Sequence, residues 1–159
     1  MPAITALIHT NNDALRLGRA LEMLYPCDEI FVIDHASRDA TLRVAREYGA
    51  RVVAVKADGP TVQYVPHDPS AWILCLDPRE SLTESLSASL YEWKTQHLPG
   101  GVSSFSVYLR EETTQGWIAN PVAQTRLVPA SWSRWEKMFP ANDPAAVALE
   151  GELLRFVFP

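Results

Sequence analysis

Three short polar clusters contain the side chains that are able to bind a ligand. They are HTNND at residues 9–13, DHASRD at residues 34–39 and DPRE at residues 77–80. Each cluster comes at the end of an apolar segment. Carboxylates, hydroxyls and amides hydrogen-bond to polar ligands, and carboxylates are also the oxygen ligands that hard divalent cations prefer. The clusters therefore predict a site for a polar ligand, with or without a cation.

The elements around these clusters follow an alternating plan. Short apolar and β-branched runs predict strands at residues 4–8, 29–34, 51–55 and 72–77. Apolar side chains at helical spacing predict helices at residues 14–24 and 39–48 between the first three strands. This alternation requires crossover connections, so we expect an α/β fold with a largely parallel sheet flanked by helices. Ligands bind beyond the carboxyl ends of such strands, which places all three clusters at one edge.

The second half of the chain has a different pattern. Residues 56–70 contain several prolines and predict a loop. Cap residues at 81–84 precede a third helix, whose apolar stripe is predicted to comprise Leu82, Leu86, Leu90 and Trp93. Strand-like segments at 102–108, 122–128 and 153–158 predict a C-terminal antiparallel β extension. We therefore expect a single domain over residues 1–159, with a ligand-binding half at 1–100 and a short β region at 101–159.

Composition excludes several classes of partner. The chain has 159 residues, a formal net charge of −5 and no run of basic residues, which disfavours binding to nucleic acid or to an anionic membrane surface. It shows no apolar segment long enough to span a bilayer and no leader-like N-terminus, so a cytoplasmic protein without membrane insertion is expected. Cys27 and Cys75 are too few for a disulfide framework and are expected to be inert thiols.

The four histidines have no spacing typical of metal ligands. They show no i, i+4 pairing and no neighbouring carboxylates in a ligand pattern. Structural or solvent-exposed roles are therefore expected for His9, His35, His67 and His97.

Four segments resemble a known family in order and spacing. IHTNND at residues 8–13 resembles the pattern IPTYNE of family 2 nucleotide-sugar glycosyltransferases, and VIDHASRDAT at 32–41 resembles VVDxGSTDGT. EYGARVV at 47–53 resembles their helix end and third strand, and WILCLDPRE at 72–80 resembles WILxLDADE. Weaker similarity at 117–118 and 124–128 resembles the acceptor-side region of bacterial members that act on lipopolysaccharide core sugars or similar acceptors, which implies an acceptor-side role for the β region at 101–159. The resemblance implies a Rossmann-like fold of the GT-A type.

The resemblance also implies which residues contact a nucleoside diphosphate sugar. Thr10 and Asp34 would contact the base and ribose, and Ser37 and Asp39 would order the second loop. The implied nucleotide-binding set is Thr10, Asn12, Asp34, Ser37, Asp39 and Asp77. An alternative stays open, in which Asp34 and Asp39 only cap helices and close turns.

The metal-binding motif departs from the family pattern. Members usually hold Mg²⁺ or Mn²⁺ between an Asp-x-Asp carboxylate and the diphosphate, but Arg79 stands at the second acidic position and Pro78 also differs. Asp77 and Glu80 remain as candidate metal ligands, and the cofactor is either such a cation or none. Three alternatives stay open for Arg79: it binds the diphosphate itself, pairs with Asp77, or lies on the surface.

Sugar transfer with inversion also needs a general base, which the family supplies as Asp or Glu in its second half. Glu136 is the nearest candidate here, and Asp143 is a weaker one. The loop before Trp72 offers Gln63, Tyr64 and His67 for the diphosphate, without an arginine.

Three functional interpretations follow. The first is a glycosyltransferase-like protein that binds a nucleoside diphosphate sugar and transfers the sugar to an unidentified acceptor. The second is an inactive descendant that serves as a nucleotide-sensing or protein-interaction module, because three catalytic features are altered together. The third, a doubly wound domain of unrelated function, is least favoured, because the matched site residues argue against it. Whether the chain is an enzyme stays open at this stage.

Overall fold

The computed structural model describes residues 2–55, 68, 70–96 and 100–158. Within these ranges, helices and strands alternate in the first half, and strands dominate the second. In chain order the elements are β1 (Ile4–Thr10), α1 (Ala14–Glu22), β2 (Glu29–Asp34), α2 (Thr41–Glu47), β3 (Arg51–Ala54), β4 (Trp72–Leu76), β5 (Glu80–Leu82), α3 (Glu84–Thr95), β6 (Phe105–Thr113), β7 (Gly116–Ala119), β8 (Gln124–Pro129), β9 (Trp135–Glu136), β10 (Phe139–Pro140) and β11 (Val147–Arg155).

The first half forms the predicted parallel sheet. The strands β3, β2, β1 and β4 lie side by side in that order, and all three pairings are parallel. Every residue of β1 is buried, because strands lie on both of its sides and side chains pack on both of its faces. α1 buries Leu17, Ala20 and Leu21 at helical spacing against one of these faces. The predicted mixed α/β fold, with a mostly parallel sheet in its first half, is therefore confirmed.

The second half continues the same sheet. β8 pairs antiparallel with both β4 and β6, and β7 pairs antiparallel with β6, as the predicted extension requires. β11 differs, because it lies parallel to β6, with a register shift between Ala148 and Glu152. The result is one mixed sheet of nine strands in the part of the chain that the structure describes. The two halves therefore share a continuous backbone scaffold.

The segment after β4 departs from the sequence-based prediction. Leu82 was predicted to belong to the stripe of the third helix, but residues 80–82 form β5, which pairs antiparallel with β11. α3 begins at Glu84, and the Thr83 hydroxyl accepts a hydrogen bond from the Leu86 backbone N–H at 3.2 Å. The prediction was wrong here because the partner strand lies about seventy residues away, beyond any local period.

Side chains from both faces of the sheet form two clusters. One lies between the sheet and the helices and contains Ile8, Leu17, Val32 and Leu90. The other lies on the opposite face, with Leu7, Ile33, Ile73, Val128 and Trp132, and residues of β9 and β10 pack against it. Burial on both faces fixes the strand ends that carry the polar clusters.

Some predictions fall on residues outside the described ranges. These are most of the loop predicted over residues 56–70, with its side chains of Gln63, Tyr64 and His67, and the role of His97. Among the described residues, no helix has the length and apolar character needed to cross a membrane.

Candidate functional site

A cavity of about 350 Å³ lies beyond the carboxyl ends of β1, β2 and β4. Thr10 and Asp77, two of the predicted nucleotide-binding residues, both line it, together with Arg79. The other polar residues of its wall are His9, Asn11, Asp13, Arg16 and His35. The three sequence clusters thus meet at one edge of the sheet.

The loop after β1 is fixed by its own side chains. The Thr10 hydroxyl donates to Asp13 Oδ2 at 2.7 Å, and the Asn11 backbone N–H donates to the same oxygen at 3.0 Å. Arg16 lies 3.6 Å from the other oxygen of Asp13. Asn12 adopts a φ of 53°, a left-handed conformation that Asn tolerates better than most residues. Thr10 is therefore held at the cavity wall by a defined turn.

The first two loops are tied together by hydrogen bonds. The Asn12 backbone N–H donates to Ser37 Oγ at 2.9 Å, and Asn12 Oδ1 accepts from the Arg38 backbone N–H at 2.7 Å. Ser37 in turn donates its own backbone N–H to Asp34 Oδ2 at 3.1 Å. Asn12 and Ser37 thus stabilise the edge of the site and do not line the cavity itself.

Asp39 bonds to the first residues of two helices. Its Oδ2 accepts from the Ala14 backbone N–H at 3.2 Å, at the start of α1, and its Oδ1 accepts from the Thr41 backbone N–H at 2.9 Å, at the start of α2. The Thr41 hydroxyl also donates to Asp39, and this bond is the main reason that the pKa of Asp39 lies below its ordinary value. In this geometry Asp39 caps the two helices, which is the alternative role that the sequence left open.

Asp34 is almost completely buried at the end of β2, with 3% of its surface exposed. It pairs with Thr10 across the parallel ladder, so the two residues lie side by side. Its Oδ1 atom is buried and has no hydrogen-bond partner among the described residues. Buried carboxylate oxygens without a partner are costly, so a hydrogen-bond donor that reached this oxygen would be stabilising. Asp34 itself does not line the cavity, whereas its neighbours Thr10 and His35 do.

Asp77 and Arg79 form a two-point ion pair at the cavity wall. Arg79 Nε donates to Asp77 Oδ1 at 3.0 Å, and Arg79 Nη2 donates to Asp77 Oδ2 at 3.3 Å. Burial alone would raise the pKa of Asp77, but the hydrogen bonds and charge of Arg79 outweigh it and leave the pKa below its ordinary value. The same pair raises the pKa of Arg79, mainly through the side-chain hydrogen bond. Both groups are therefore charged at neutral pH.

Glu80 forms a second ion pair that lies inside the protein. Its two oxygens accept from Arg126 Nη1 at 2.6 Å and Arg126 Nη2 at 2.8 Å, and both side chains are at most 2% exposed. Glu80 Oε1 also accepts from the Asp77 backbone N–H at 2.9 Å. Sequence reasoning missed Arg126, although a charged residue inside the apolar strand segment of β8 was an available signal. Glu80 thus fixes the backbone of Asp77 through this hydrogen bond and does not itself line the cavity.

These carboxylates do not fit a divalent cation. Both oxygens of Asp77 are bound by Arg79, and both oxygens of Glu80 are bound by Arg126. Among the residues that the structure describes, no three His, Cys, Asp or Glu side chains converge as metal ligands do. The metal site that the sequence placed at Asp77 and Glu80 remains a prediction without support from the donor geometry.

The two cavity histidines contact each other. His9 Nδ1 and His35 Nε2 are 2.8 Å apart, so one ring donates to the other according to the tautomer. Both rings belong to the polar clusters that the sequence placed at this edge, but they were assigned structural or exposed roles, and their contact with each other was not predicted. The only signal was the alignment of β1 with β2, which brings residues 26 positions apart to the same edge.

A second cavity of about 380 Å³ adjoins the first, and Met138 lines both. Glu136, the predicted general base, lies in β9 at the wall of this second cavity, beside Lys137 and Asn142. Asp143 is instead bound to the Ser104 hydroxyl at 2.8 Å and to the Ala145 backbone N–H at 3.0 Å. Of the two acidic candidates, only Glu136 therefore lines a cavity next to the first one.

Comparison with known proteins gives sequence relatives but no matching family model. A Rickettsia felis protein described as an uncharacterized glycosyltransferase is 36% identical over 94 residues, which cover 54% of this chain and 32% of that protein. A Rickettsia prowazekii protein with the same description is 31% identical over 105 residues, covering 61% and 35%. The chain thus matches about a third of the length of these curated relatives. Both similarities support a glycosyltransferase-type fold.

A solved structure has a related fold. The crystal structure of a mycobacterial protein aligns with 70% of this chain and 42% of its own length, at 17% identity and a TM-score of 0.51. At this level of identity the likeness concerns the fold alone.

Proposed function

We propose that this chain is the nucleotide-binding part of a family 2 glycosyltransferase-like protein and binds a nucleoside diphosphate sugar. The observation that supports this most directly is the convergence of Thr10, Asp77 and Arg79 on one cavity at the carboxyl ends of parallel strands. That edge is where ligands of open α/β sheets bind. The Rickettsia relatives, which are described as glycosyltransferases, support the same assignment.

The nucleoside lies at the Thr10 and Asp34 side of this cavity in our proposal. Asp34 Oδ1 is buried without a partner among the described residues, and a base N–H or a ribose hydroxyl would satisfy it. Thr10 is next to Asp34 in the ladder and lines the cavity. Asn12, Ser37 and Asp39 contribute by holding the two loops in place.

The sugar and its acceptor lie toward the second cavity. Because Met138 lines both cavities, a sugar attached to a diphosphate in the first reaches toward the second. Glu136 is then the residue we propose as general base for the acceptor hydroxyl. The weaker sequence resemblance supports a bacterial protein with an acceptor of the lipopolysaccharide-core or a similar type. The cytoplasmic location without membrane insertion is proposed from the composition of the sequence.

A second candidate function is a nucleotide-sensing or protein-interaction module without turnover. The observation that favours it is that arginines occupy both carboxylates of the third cluster. The two functions differ in one measurement, which is the release of UDP from UDP-glucose or UDP-N-acetylglucosamine. Release above the uncatalysed rate that is lost in Glu136→Gln supports the transferase, and binding without release supports the module.

Nucleotide binding is tested by thermal shift and isothermal titration with UDP, GDP, ADP, CDP and TDP. A ligand at about 100 times its Kd raises the unfolding free energy by about 2.7 kcal/mol, which is readily detected. We expect at least one nucleotide to bind, and Asp34→Asn to weaken it about tenfold or more. The matched control is Asp28→Asn, since Asp28 precedes β2 and is at the opposite end of that strand from Asp34. Equal loss in both variants, or no binding of any nucleotide, would contradict the proposal.

A further inference from the structure

We propose that this cavity binds the diphosphate of its nucleotide without a divalent cation, with the guanidinium of Arg79 in the place of the cation. This inference rests on the nucleotide binding proposed above. It concerns the chemistry of the phosphate contact, which determines whether binding depends on Mg²⁺ or Mn²⁺.

The carboxylates at the cavity are already neutralised by arginines. Arg79 binds both oxygens of Asp77, and Arg16 is 3.6 Å from Asp13. A cation approaching Asp77 would have to displace Arg79 from a charge-assisted, two-point contact, and the displaced guanidinium would still repel it at short range. Glu80 offers no alternative, because it is buried with Arg126.

The charge of the ion pair equals that of a metal site. Two carboxylates with one divalent cation have no net charge, and neither has Asp77 with Arg79. A guanidinium therefore replaces one carboxylate and the cation together without changing the formal charge beside the phosphates. It also presents donors in a planar fork that matches phosphate oxygens in a bidentate way, which a spherical cation does not.

Arg79 keeps donors available for a ligand. Asp77 accepts one hydrogen bond from Nε and one from Nη2, which leaves both N–H groups of Nη1 and the second N–H of Nη2 for phosphate oxygens. The side chain lines the cavity and is 38% exposed, so a ligand reaches it without a rearrangement of the core. Arg16, in the same wall, supplies a second guanidinium on the α1 side. Both guanidinium groups therefore line the cavity in which we place the diphosphate.

The first test is titration calorimetry with UDP on the wild-type chain, in EDTA and in MnCl₂. We expect Kd values that agree within about threefold, because no binding energy comes from the cation. Binding of UDP only with Mn²⁺ would overturn this inference and leave the proposed function standing. No binding of any nucleoside diphosphate under either condition would overturn both.

Variants of the ion pair distinguish phosphate binding by the Arg79 guanidinium from phosphate binding by a cation on Asp77. Arg79→Ala should weaken UDP about tenfold or more in EDTA and leave the affinity for uridine, which has no phosphate, unchanged. Asp77→Asn should weaken UDP binding in EDTA less than Arg79→Ala does, because the guanidinium remains, whereas a cation site would lose its ligand. Loss in Asp77→Asn with retention in Arg79→Ala would overturn the inference. Arg43→Ala is the control, since Arg43 pairs with Glu47 on the exposed face of α2.

A charge-swap variant tests whether Arg79 contacts phosphate or has only a structural role. The quantity measured is the dependence of UDP binding on Mn²⁺. Arg79→Asp places a second carboxylate beside Asp77 and removes the guanidinium. We expect UDP binding in this variant to become dependent on Mn²⁺, with little binding in EDTA. Binding in EDTA as tight as in the wild type would show that Arg79 does not contact phosphate, and the inference would fail.

Discussion

Asp77 and Glu80 are three positions apart after the same strand, and each is bound by an arginine through both carboxylate oxygens. Their surroundings differ. Arg79 and Asp77 are 38% and 18% exposed at the cavity wall, whereas Arg126 and Glu80 are 2% and 0% exposed in the core. The same chemical pair therefore occurs once beside a ligand-sized space and once inside the protein.

Burial determines what each pair is able to do. A pair at a cavity is solvated in part, so its arginine can bind a ligand without leaving a charge buried and alone. A buried pair cannot change partners, because separating its charges in a low-dielectric interior is costly. The Glu80 pair therefore supports the site by fixing the Asp77 backbone, and the Asp77 pair is the one available to a ligand.

The largest loss of stability is expected from breaking the buried pair of Glu80 and Arg126. Arg126→Met leaves the Glu80 carboxylate buried without its main partner, and we expect the free energy of unfolding to fall by about 3–5 kcal/mol. Urea denaturation at neutral pH measures this. Arg126 Nη1 also donates to the Cys75 carbonyl at 3.1 Å, so faster labelling of the Cys75 thiol should accompany the loss.

The control for that variant is Arg43→Ala, which removes a surface pair whose side chains are 76% and 62% exposed. Its unfolding free energy should change by no more than about 0.5 kcal/mol. If Arg126→Met lowered the unfolding free energy as little as this control, Arg126 would not be needed to stabilise the buried Glu80. The contrast between the two pairs would then disappear.

A smaller loss of stability is expected from a substitution in β11, the strand that pairs with β5 and so fixes Glu80. β5 pairs with β11, where Gly151 has a φ of 97° and approaches α3 so closely that an added Cβ would be 2.4 Å from the Leu86 backbone nitrogen. Gly151→Ala should lower the unfolding free energy by about 2–3 kcal/mol, because steric overlap adds to the backbone strain. Differential scanning calorimetry gives the change in Tm.

Gly49→Ala is the matched control, since Gly49 has a φ of 78° and nothing within 4 Å of its added Cβ. It should cost only about 1 kcal/mol, the strain of the left-handed backbone. UDP affinity below the unfolding transition should stay within about twofold in both variants, because neither touches the cavity pair. A large loss of affinity in Gly151→Ala would show that the two pairs are coupled.

The exposed pair should contribute little to folding. Arg79→Ala removes a partly solvated ion pair, so we expect the unfolding free energy to fall by about 1 kcal/mol or less. Urea denaturation beside Arg126→Met measures the difference directly. A loss as large as that of Arg126→Met would mean that Arg79 is a structural residue, contrary to its proposed role in phosphate binding.

Local pattern was sufficient to predict the first half of the fold. The second strand was predicted at residues 29–34 and found as Glu29–Asp34, and the first helix was predicted at 14–24 and found as Ala14–Glu22. Apolar periodicity and turn residues determine such elements over a few neighbouring positions. The convergence of Thr10 and Asp77 followed from the parallel topology, because carboxyl ends of parallel strands share an edge.

Features that depend on distant partners could not be predicted in this way. The pairing of β5 with β11 and the Glu80–Arg126 contact join residues that are 46 or more positions apart. The histidine pair is a further case, since neither ring has a local ligand pattern. Only the register of the sheet brings such side chains together, and one sequence does not encode that register in any short window.

The smallest effect that distinguishes the two pairs is a dependence on acid. Arg79 holds the pKa of Asp77 below its ordinary value of 3.8, so the folded state binds this proton less readily than the unfolded chain. The stabilisation is therefore complete above that ordinary value and is lost as the pH falls through the lowered one. The stability difference between the wild type and Asp77→Asn should be constant near neutral pH and shrink below about pH 4. In an Arg79→Ala background this dependence should be weaker, because the guanidinium is lost and only the backbone N–H of residue 79 and the charge of Arg155 still lower the pKa of Asp77. If urea denaturation from pH 7 to pH 3 showed the same profile in both backgrounds, Arg79 would not be the group that keeps Asp77 ionised.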